Sequence, residues 1–313
     1  MLETHPDSGL ARDLATAATG RRPAAVKRFT TGSQHFVYEA TFADRLPVVV
    51  RISRAADRRM VRGASSLSSR LRPLGLALPR VLAEDVEGPI PYMVLERLPG
   101  TDLGHVIERL NATQLGAIAA AVAGAQALVA TTPTAGRYGY AADPAEAPGR
   151  RWSDILEGSI GRSRGRIAAV GHYDMTAIEA AEAALADLRD EADAQPATPF
   201  LHDTTTKNVI IAPDGTFSGI VDVDDLCFGD PRSPLALTTA AIMAFGRPSP
   251  YTALWMKSAG HDDDRLFRLY VALCLLDFMS EEGQVFNGNE RASSTAARVR
   301  LQRLYYEQLE RAR

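Results

Sequence analysis

The apolar run Val209-Ile210-Ile211, the reversal signal Pro213-Asp214-Gly215 and a second run through Phe217, Ile220 and Val221 leave the chain one local solution. Three apolar residues are too few for a helix, and Pro-Asp-Gly turns the backbone back on itself, so the segment forms a two-stranded antiparallel hairpin. Asn208 and Asp222 then meet at its open end, and the polar loop that leads in carries His202 and Asp203. Two carboxylates and an amide gathered at one point suit phosphoryl transfer. One carboxylate orients and deprotonates a hydroxyl, while an Asn and a second Asp offer the hard oxygen ligands that Mg²⁺ takes beside nucleotide phosphates.

Any one of these residues alone reads as a solvated turn or helix cap. Together their spacing is more specific. Asp203 and Asn208 stand apart as do the Asp and Asn of the H-R-D-x-x-x-x-N loop of protein kinases, and Asp222 falls where the Asp of D-F-G would. With Val221-Asp222-Val223-Asp224-Asp225 and Gly229-Asp230-Pro231 following, the stretch resembles the aminoglycoside phosphotransferase family, kinase-like enzymes that phosphorylate small molecules. Leu201-His202 replaces the His-Gly that the family carries before its catalytic Asp, and Thr205 stands where the family often has His. A competing reading takes His202-Asp203 as the His-Asp pair of a metal-dependent phosphohydrolase. Such a pair wants a helix, and Thr204-Thr205-Thr206 is a poor one.

The resemblance extends over about residues 24 to 280. It implies an α+β, bilobal protein-kinase-like fold, with a small antiparallel β lobe over residues 1–100 and a larger, mainly helical lobe over 101–313, joined by a hinge near 96–100. Upstream of the hairpin, Thr31-Gly32-Ser33-Gln34-His35 lies between two strand patterns, where the family places a loop over the phosphates. This makes Gly32, Ser33, Gln34 and His35 nucleotide-site candidates. The β-branched run Val48-Val49-Val50 carries Arg51, at the place of the strand-three base of kinases, and its planar fork serves phosphate oxygens well. Tyr92 to Pro99 resembles the family hinge, whose backbone around Glu96 and Leu98 would meet the adenine edge.

One element of the family pattern is missing. Arg62-Gly63-Ala64 stands where the following helix should present an acid to the strand-three base, and no acid occurs between Asp57 and Glu84. Either another acid such as Asp222 approaches Arg51, or, the favoured expectation, nucleotide phosphates are its partner and the side chain is mobile without them, in which case Gly63→Glu would pre-form the clamp.

The resemblance thus implies Asp203 as base, Asn208 and Asp222 as Mg²⁺ ligands, Arg51 as phosphate clamp, and Lys207 and Asp225 as weaker candidates near the acceptor. ATP or GTP would be the donor and a hydroxyl of a small molecule, an antibiotic for instance, the acceptor. A catalytically silent nucleotide-binding protein is the further alternative that the missing acid raises. Acceptor charge stays open, since Asp224 and Asp225 suit a cation and Lys207 an anionic or neutral compound. Tyr138 and Tyr140, in a Pro/Gly/Tyr-rich loop, are either substrate-facing or surface aromatics.

Bulk properties agree with this class. The chain has 313 residues, 46% hydrophobic and 23% charged, which is ordinary for a soluble globular protein. A net charge of −3 gives no reason to expect a nucleic-acid partner. Two cysteines, Cys227 and Cys274, form neither a disulfide framework nor a zinc motif and suit a reducing, cytoplasmic setting. The Ala-rich stretch Leu115 to Val129 reads as a packed helix, not a membrane span, and a monomer or weak homodimer is expected.

Overall fold

The structure, a computed structural model, describes residues 6–29, 35–286, 289–290 and 293–313. Helix α1 (Ser8–Thr19), capped by the Asp7 side chain, packs on a five-stranded antiparallel sheet of order β1-β2-β3-β5-β4. Its strands are β1 (Ala25–Arg28), β2 (Phe36–Thr41), β3 (Val48–Ile52), β4 (Val81–Asp85) and β5 (Tyr92–Glu96). Strand alternation decides what faces where. Val48, Val50 and Ile52 point with Phe36, Tyr38 and Ala40 into the core under Ala11 and Ala15 of α1. Arg51 therefore emerges on the opposite face, where α2 (Arg58–Leu71) lays Val61 and Ala64 against Met93.

Past β5 the chain needs only residues 97–100 to reach β6 (Thr101–Asp102), which pairs with the Pro213-Asp214-Gly215 hairpin. That hairpin is β9 (Val209–Ile211) and β10 (Phe217–Ile220), so the sheet order is β10-β9-β6. The crossing is tight. Gly100 has φ +105°, and a Cβ there would stand 1.8 Å from the Ile211 carbonyl oxygen, so only glycine fits.

A second three-stranded sheet, β7-β11-β8, corrects the sequence reading. It is built from β7 (Gly139–Ala141), β8 (Thr198–Leu201) and β11 (Leu226–Gly229), segments read as a loop, an apolar entry and part of an acidic loop. Through β8 it fixes the start of the loop that carries His202 and Asp203, and through β11 the end of the acidic loop; the far end of the His202 loop is held by β9 in the other sheet. Tyr140 accordingly belongs to a strand, and the Tyr138 hydroxyl donates to the Gln195 carbonyl at 2.9 Å.

The rest of this lobe is helical: α3 (Leu103–Val106), α4 (Ala112–Ala130), α5 (Trp152–Val170), α6 (Thr176–Asp187), α7 (Arg189–Asp193), α8 (Ser233–Phe245), α9 (Tyr251–Ala259), α10 (Arg265–Glu281) and α11 (Thr295–Arg311). Helices α6 and α7 are separated by a break at Leu188. Asn111 caps α4 through a full capping box with Gln114, and Asp264 caps α10 by accepting from the Phe267 amide. Helix α4 is long and apolar enough to cross a bilayer by length and composition alone, but it buries Leu115, Ile118, Val122 and Val129 in the protein interior. Trp255, Tyr251, Phe267 and Tyr305 fill the helical core.

Candidate active site

The open end of the β9–β10 hairpin brings the sequence candidates together. The Val221 amide donates to the Asn208 carbonyl at 2.9 Å, which extends the ladder by one pair and sets Asp222 beside Asn208. Asn208 Nδ2 donates to the Asp203 carbonyl at 3.0 Å, which leaves its amide oxygen as the atom able to face a cation. The loop is further stiffened by the Thr205 amide and hydroxyl, both donating to Asp203 Oδ1 at 3.2 and 2.7 Å. The Asp203 side chain stands at the surface of the cleft, and so does Lys207.

Asp222 is the one residue other than glycine, among those described, with a positive φ, at +65°. Asp tolerates this left-handed region better than most residues, and an observed strain at such a point is a mark of function. The carboxylate is about half exposed at the boundary of the two lobes. Burial raises its pKa, and Arg51, 3.5 Å away, offsets the effect only in part. An acid short of positive charge beside a side-chain amide oxygen is a donor set that fits Mg²⁺, an ion that usually takes one or two carboxylates and completes its shell with phosphates and water.

The surroundings of Arg51 correct the expectation of a mobile side chain. The guanidinium is buried, and its Nη2 bonds both oxygens of Asp224. Asp224 Oδ2 also takes the His35 ring at 3.0 Å, and the other ring nitrogen meets the Ser53 hydroxyl at 2.7 Å. Burial alone would raise the Asp224 pKa, but Arg51 and then His35 outweigh it and hold the carboxyl at about 2. The carboxylate beside Arg51 thus comes from the acidic loop, 173 residues away in sequence, and not from α2.

Gly63→Glu cannot pre-form a clamp. A Cβ on Gly63 would lie 2.3 Å from the Asp224 carbonyl oxygen, so no side chain can leave the helix at that point without displacing the acidic loop. The arginines of α2 are turned elsewhere: Arg58 to the Val86 and Gly88 carbonyls, Arg62 to Glu87 at 2.6 Å and Arg59 to Asp225 at 3.9 Å. Asp225 is therefore drawn toward α2, and burial raises its pKa against the pull of Arg59.

The other nucleotide-site candidates are more scattered. Gly32, Ser33 and Gln34 lie outside the described residues, and the ring of His35 turns inward onto Asp224. In the hinge the Glu96 amide donates to the Arg80 carbonyl at 2.8 Å, and Arg97 Nη1 donates to the Leu98 carbonyl at 2.6 Å. Those two backbone groups are engaged within the protein. A small hollow of about 40 Å³ lies between Arg51, Ser68, Met93, Leu95 and Asp222.

Two supports went unread in the sequence. Gln126, buried on α4, accepts from the Leu201 amide at 2.9 Å and donates to the Leu201 carbonyl and the Thr204 hydroxyl at 2.9 and 3.1 Å. With the Thr238 hydroxyl on the Thr204 carbonyl at 3.3 Å, it braces the Asp203 loop from beneath. A Gln flanked by alanines in the apolar part of the helix was the available signal. Asp230 binds Arg232 at 2.7 Å and the Tyr270 hydroxyl at 3.0 Å, and Tyr270 accepts from the Trp152 indole at 3.0 Å. It ties the start of α8 to α5 and α10. On the other side of Asp203, the His202 ring meets Tyr140 edge to face, with centroids 4.8 Å apart, and burial lowers its pKa although Asp203 opposes this.

A five-stranded sheet over a helical lobe, with a polar loop, a hairpin and an acidic loop at the boundary, is the architecture of kinase-like phosphotransferases. The chain belongs to the phosphotransferase enzyme family, whose model matches residues 25–267. It is by that membership a small-molecule kinase. No curated protein matches it in sequence. Among solved structures it is similar to a thermostable mutant of the aminoglycoside phosphotransferase APH(4)-Ia in its apo form, with TM-score 0.65, 16% identity, and 95% of this chain and 98% of that one covered. It is similar as well to APH(2″)-IIa in a ternary complex with streptomycin and ATP, with TM-score 0.64, 12% identity and coverage of 95% and 94%. A putative fructosamine-3-kinase from Haemophilus somnus 129PT stands at TM-score 0.64, 14% identity and coverage of 95% and 96%. At these identities the likeness is one of fold.

Proposed function

We propose that the protein transfers the γ-phosphoryl group of ATP or GTP to a hydroxyl of a polar small molecule, an aminoglycoside-like antibiotic or a sugar-bearing compound. The observation that carries this reading is the gathering of Asp203, Asn208, Asp222 and Arg51: Asn208 bonds the Asp203 carbonyl, the Val221 amide bonds the Asn208 carbonyl, and the neighbouring Asp222 lies 3.5 Å from Arg51. Asp203, whose orientation Thr205 holds, accepts the proton of the acceptor hydroxyl as its oxygen attacks phosphorus. Asn208 and Asp222 would hold Mg²⁺, which when bound neutralises charge on the β- and γ-phosphates. Arg51 steadies the phosphates with the donors that Asp224 leaves free, among them a buried Nε without a hydrogen-bond partner. The likeness to proteins solved with streptomycin and ATP, and with ADP and hygromycin B, supports a nucleotide donor and a polyhydroxylated acceptor.

The test is nucleotide consumption with Mg²⁺ across aminoglycosides, other hydroxylated antibiotics and fructosamines. One acceptor should raise turnover well above the background hydrolysis rate, and Asp203→Asn should lower that turnover by roughly a hundredfold or more while nucleotide affinity is kept. Near-normal turnover of the variant would remove Asp203 from its role.

A further inference from the structure

In an arrangement with a helix acid, the strand-three base is aligned from within the small lobe. Here α2 has no acid to give. The α2 backbone passes so close to the acidic loop at Gly63 that the loop's own carbonyl fills the space a side chain would need. The carboxylate that meets Arg51 comes from the other lobe, and two side chains of the small lobe grip it: Arg51 from β3, and His35, which precedes β2 and is itself seated on Ser53. With the ring proton on Nε2, His35 donates to Asp224 and accepts from the Ser53 hydroxyl. Asp224 is mostly buried and His35 and Arg51 nearly fully so, and charge-assisted bonds are at their strongest away from water.

We propose that Asp224 is the positioning residue of the phosphate clamp: it aligns Arg51 from the catalytic lobe, in place of an acid on α2. This rests on the reading of Arg51 as phosphate clamp given under Proposed function. It has a consequence for coupling. Asp222 and Asp224 are two residues apart on one short loop, so the metal ligand and the anchor of the clamp move as a unit.

The experiment is a double-mutant cycle on the full chain with Arg51→Met, Asp224→Asn and the double variant, read by calorimetric affinity for Mg·ATP and Mg·GTP and by melting temperature without nucleotide. Asp224→Asn should weaken nucleotide binding about tenfold in the presence of Arg51 and have almost no further effect in the Arg51→Met background, a coupling within the range for contacting residues. The melting-temperature losses of the two single variants should likewise fail to add. Should Asp224→Asn not fold, Asp224→Glu keeps the charge but displaces the guanidinium, and it should weaken binding only where Arg51 is present. An Asp224 effect that persists in full without Arg51 means that it acts on the metal site or on folding, and overturns the proposal. A wild-type protein that binds neither nucleotide overturns the reading of Arg51 as clamp and the positioning role with it, while the melting-temperature cycle still reports whether the pair exists.

Discussion

Replacing Gly63 by alanine should destabilise this protein, against the usual sign for such a change. In the interior of an exposed helix, Gly→Ala gains about 0.5–1 kcal/mol by restricting the unfolded chain. Gly63 lies in the buried face of α2 with ordinary helical backbone, so that gain is available in principle. The added Cβ would, however, sit 2.3 Å from the Asp224 carbonyl oxygen, 3.3 Å from Ala142 Cβ and 3.4 Å from Asp225 Oδ1. The shortfall against the 3.0 Å that Cβ contacts keep is about 0.7 Å, and the obstacle is backbone, which cannot swing aside as a side chain does. Overpacking of this kind costs about 1–3 kcal/mol, so the net loss should be about 1 kcal/mol or somewhat more. Gly124→Ala is the internal control: it lies exposed on α4 with nothing within 4 Å of its added Cβ and should stabilise by about 0.5–1 kcal/mol. Urea titration of the two variants, compared at constant m-value, reads the difference directly. A Gly63→Ala protein stabilised as much as Gly124→Ala would refute the close approach of α2 to the acidic loop.

Further outcomes follow from the same geometry. Asp222→Ala should abolish the Mg²⁺-dependent part of nucleotide binding by calorimetry; unchanged affinity for Mg·ATP would make the residue a structural turn only. Gln126→Leu strands the Leu201 amide and carbonyl in the interior, at about 1–3 kcal/mol for each buried group left unpaired, and should lower both thermal stability and turnover. A variant with wild-type stability would show that the loop needs no brace from α4. His202 is held neutral in the folded protein by burial, so its folded pKa lies below the ordinary value near 6.5. The unfolded chain then binds the extra proton as pH falls below about 6.5, which makes stability decline toward acid pH. His202→Gln should flatten that part of the stability profile, and a profile identical to wild type would place the acid sensitivity elsewhere.

The legible parts of the sequence were those whose determinants are local. Pro213-Asp214-Gly215 defines the hairpin whatever surrounds it, and Asn111 and Asp264 mark helix starts through their own capping chemistry. Spacing within one loop and one hairpin was enough to bring Asp203, Asn208 and Asp222 to a common point. What escaped were pairings between distant segments. Leu226-Cys227-Phe228 is hidden behind three aspartates and pairs with residues 139–141 and 198–201, neither of which alternates strongly enough to announce a strand. Gly63 was legible only as a gap, because what fills the gap is a backbone carbonyl from Asp224. The partner of Arg51 was missed for the same reason: four acids lie within a few residues of the hairpin's open end, and only the path of the chain decides that Asp224, and not Asp222, receives the guanidinium.

The crossing at Gly100 makes the two lobes behave as the legs of a pair of calipers. Val48 sits opposite Glu96 at the last rung before the crossing, and Arg51 is three residues farther along β3. On the other leg, Ile211 lies under Gly100, and Asn208 is three residues back along the hairpin. Each leg is therefore about 10 Å from pivot to tip, at the rise per residue of a strand. A rotation of about 10° parts the tips by only about 1.7 Å on that lever arm. That is still enough to take a guanidinium out of reach of a carboxylate, because hydrogen bonds weaken steeply beyond about 3.5 Å. The gap between Arg51 and Asp224 is thus a gauge set into the cleft, and a pair of spectroscopic labels spanning it would register small movements of the lobes that leave the core of either one undisturbed.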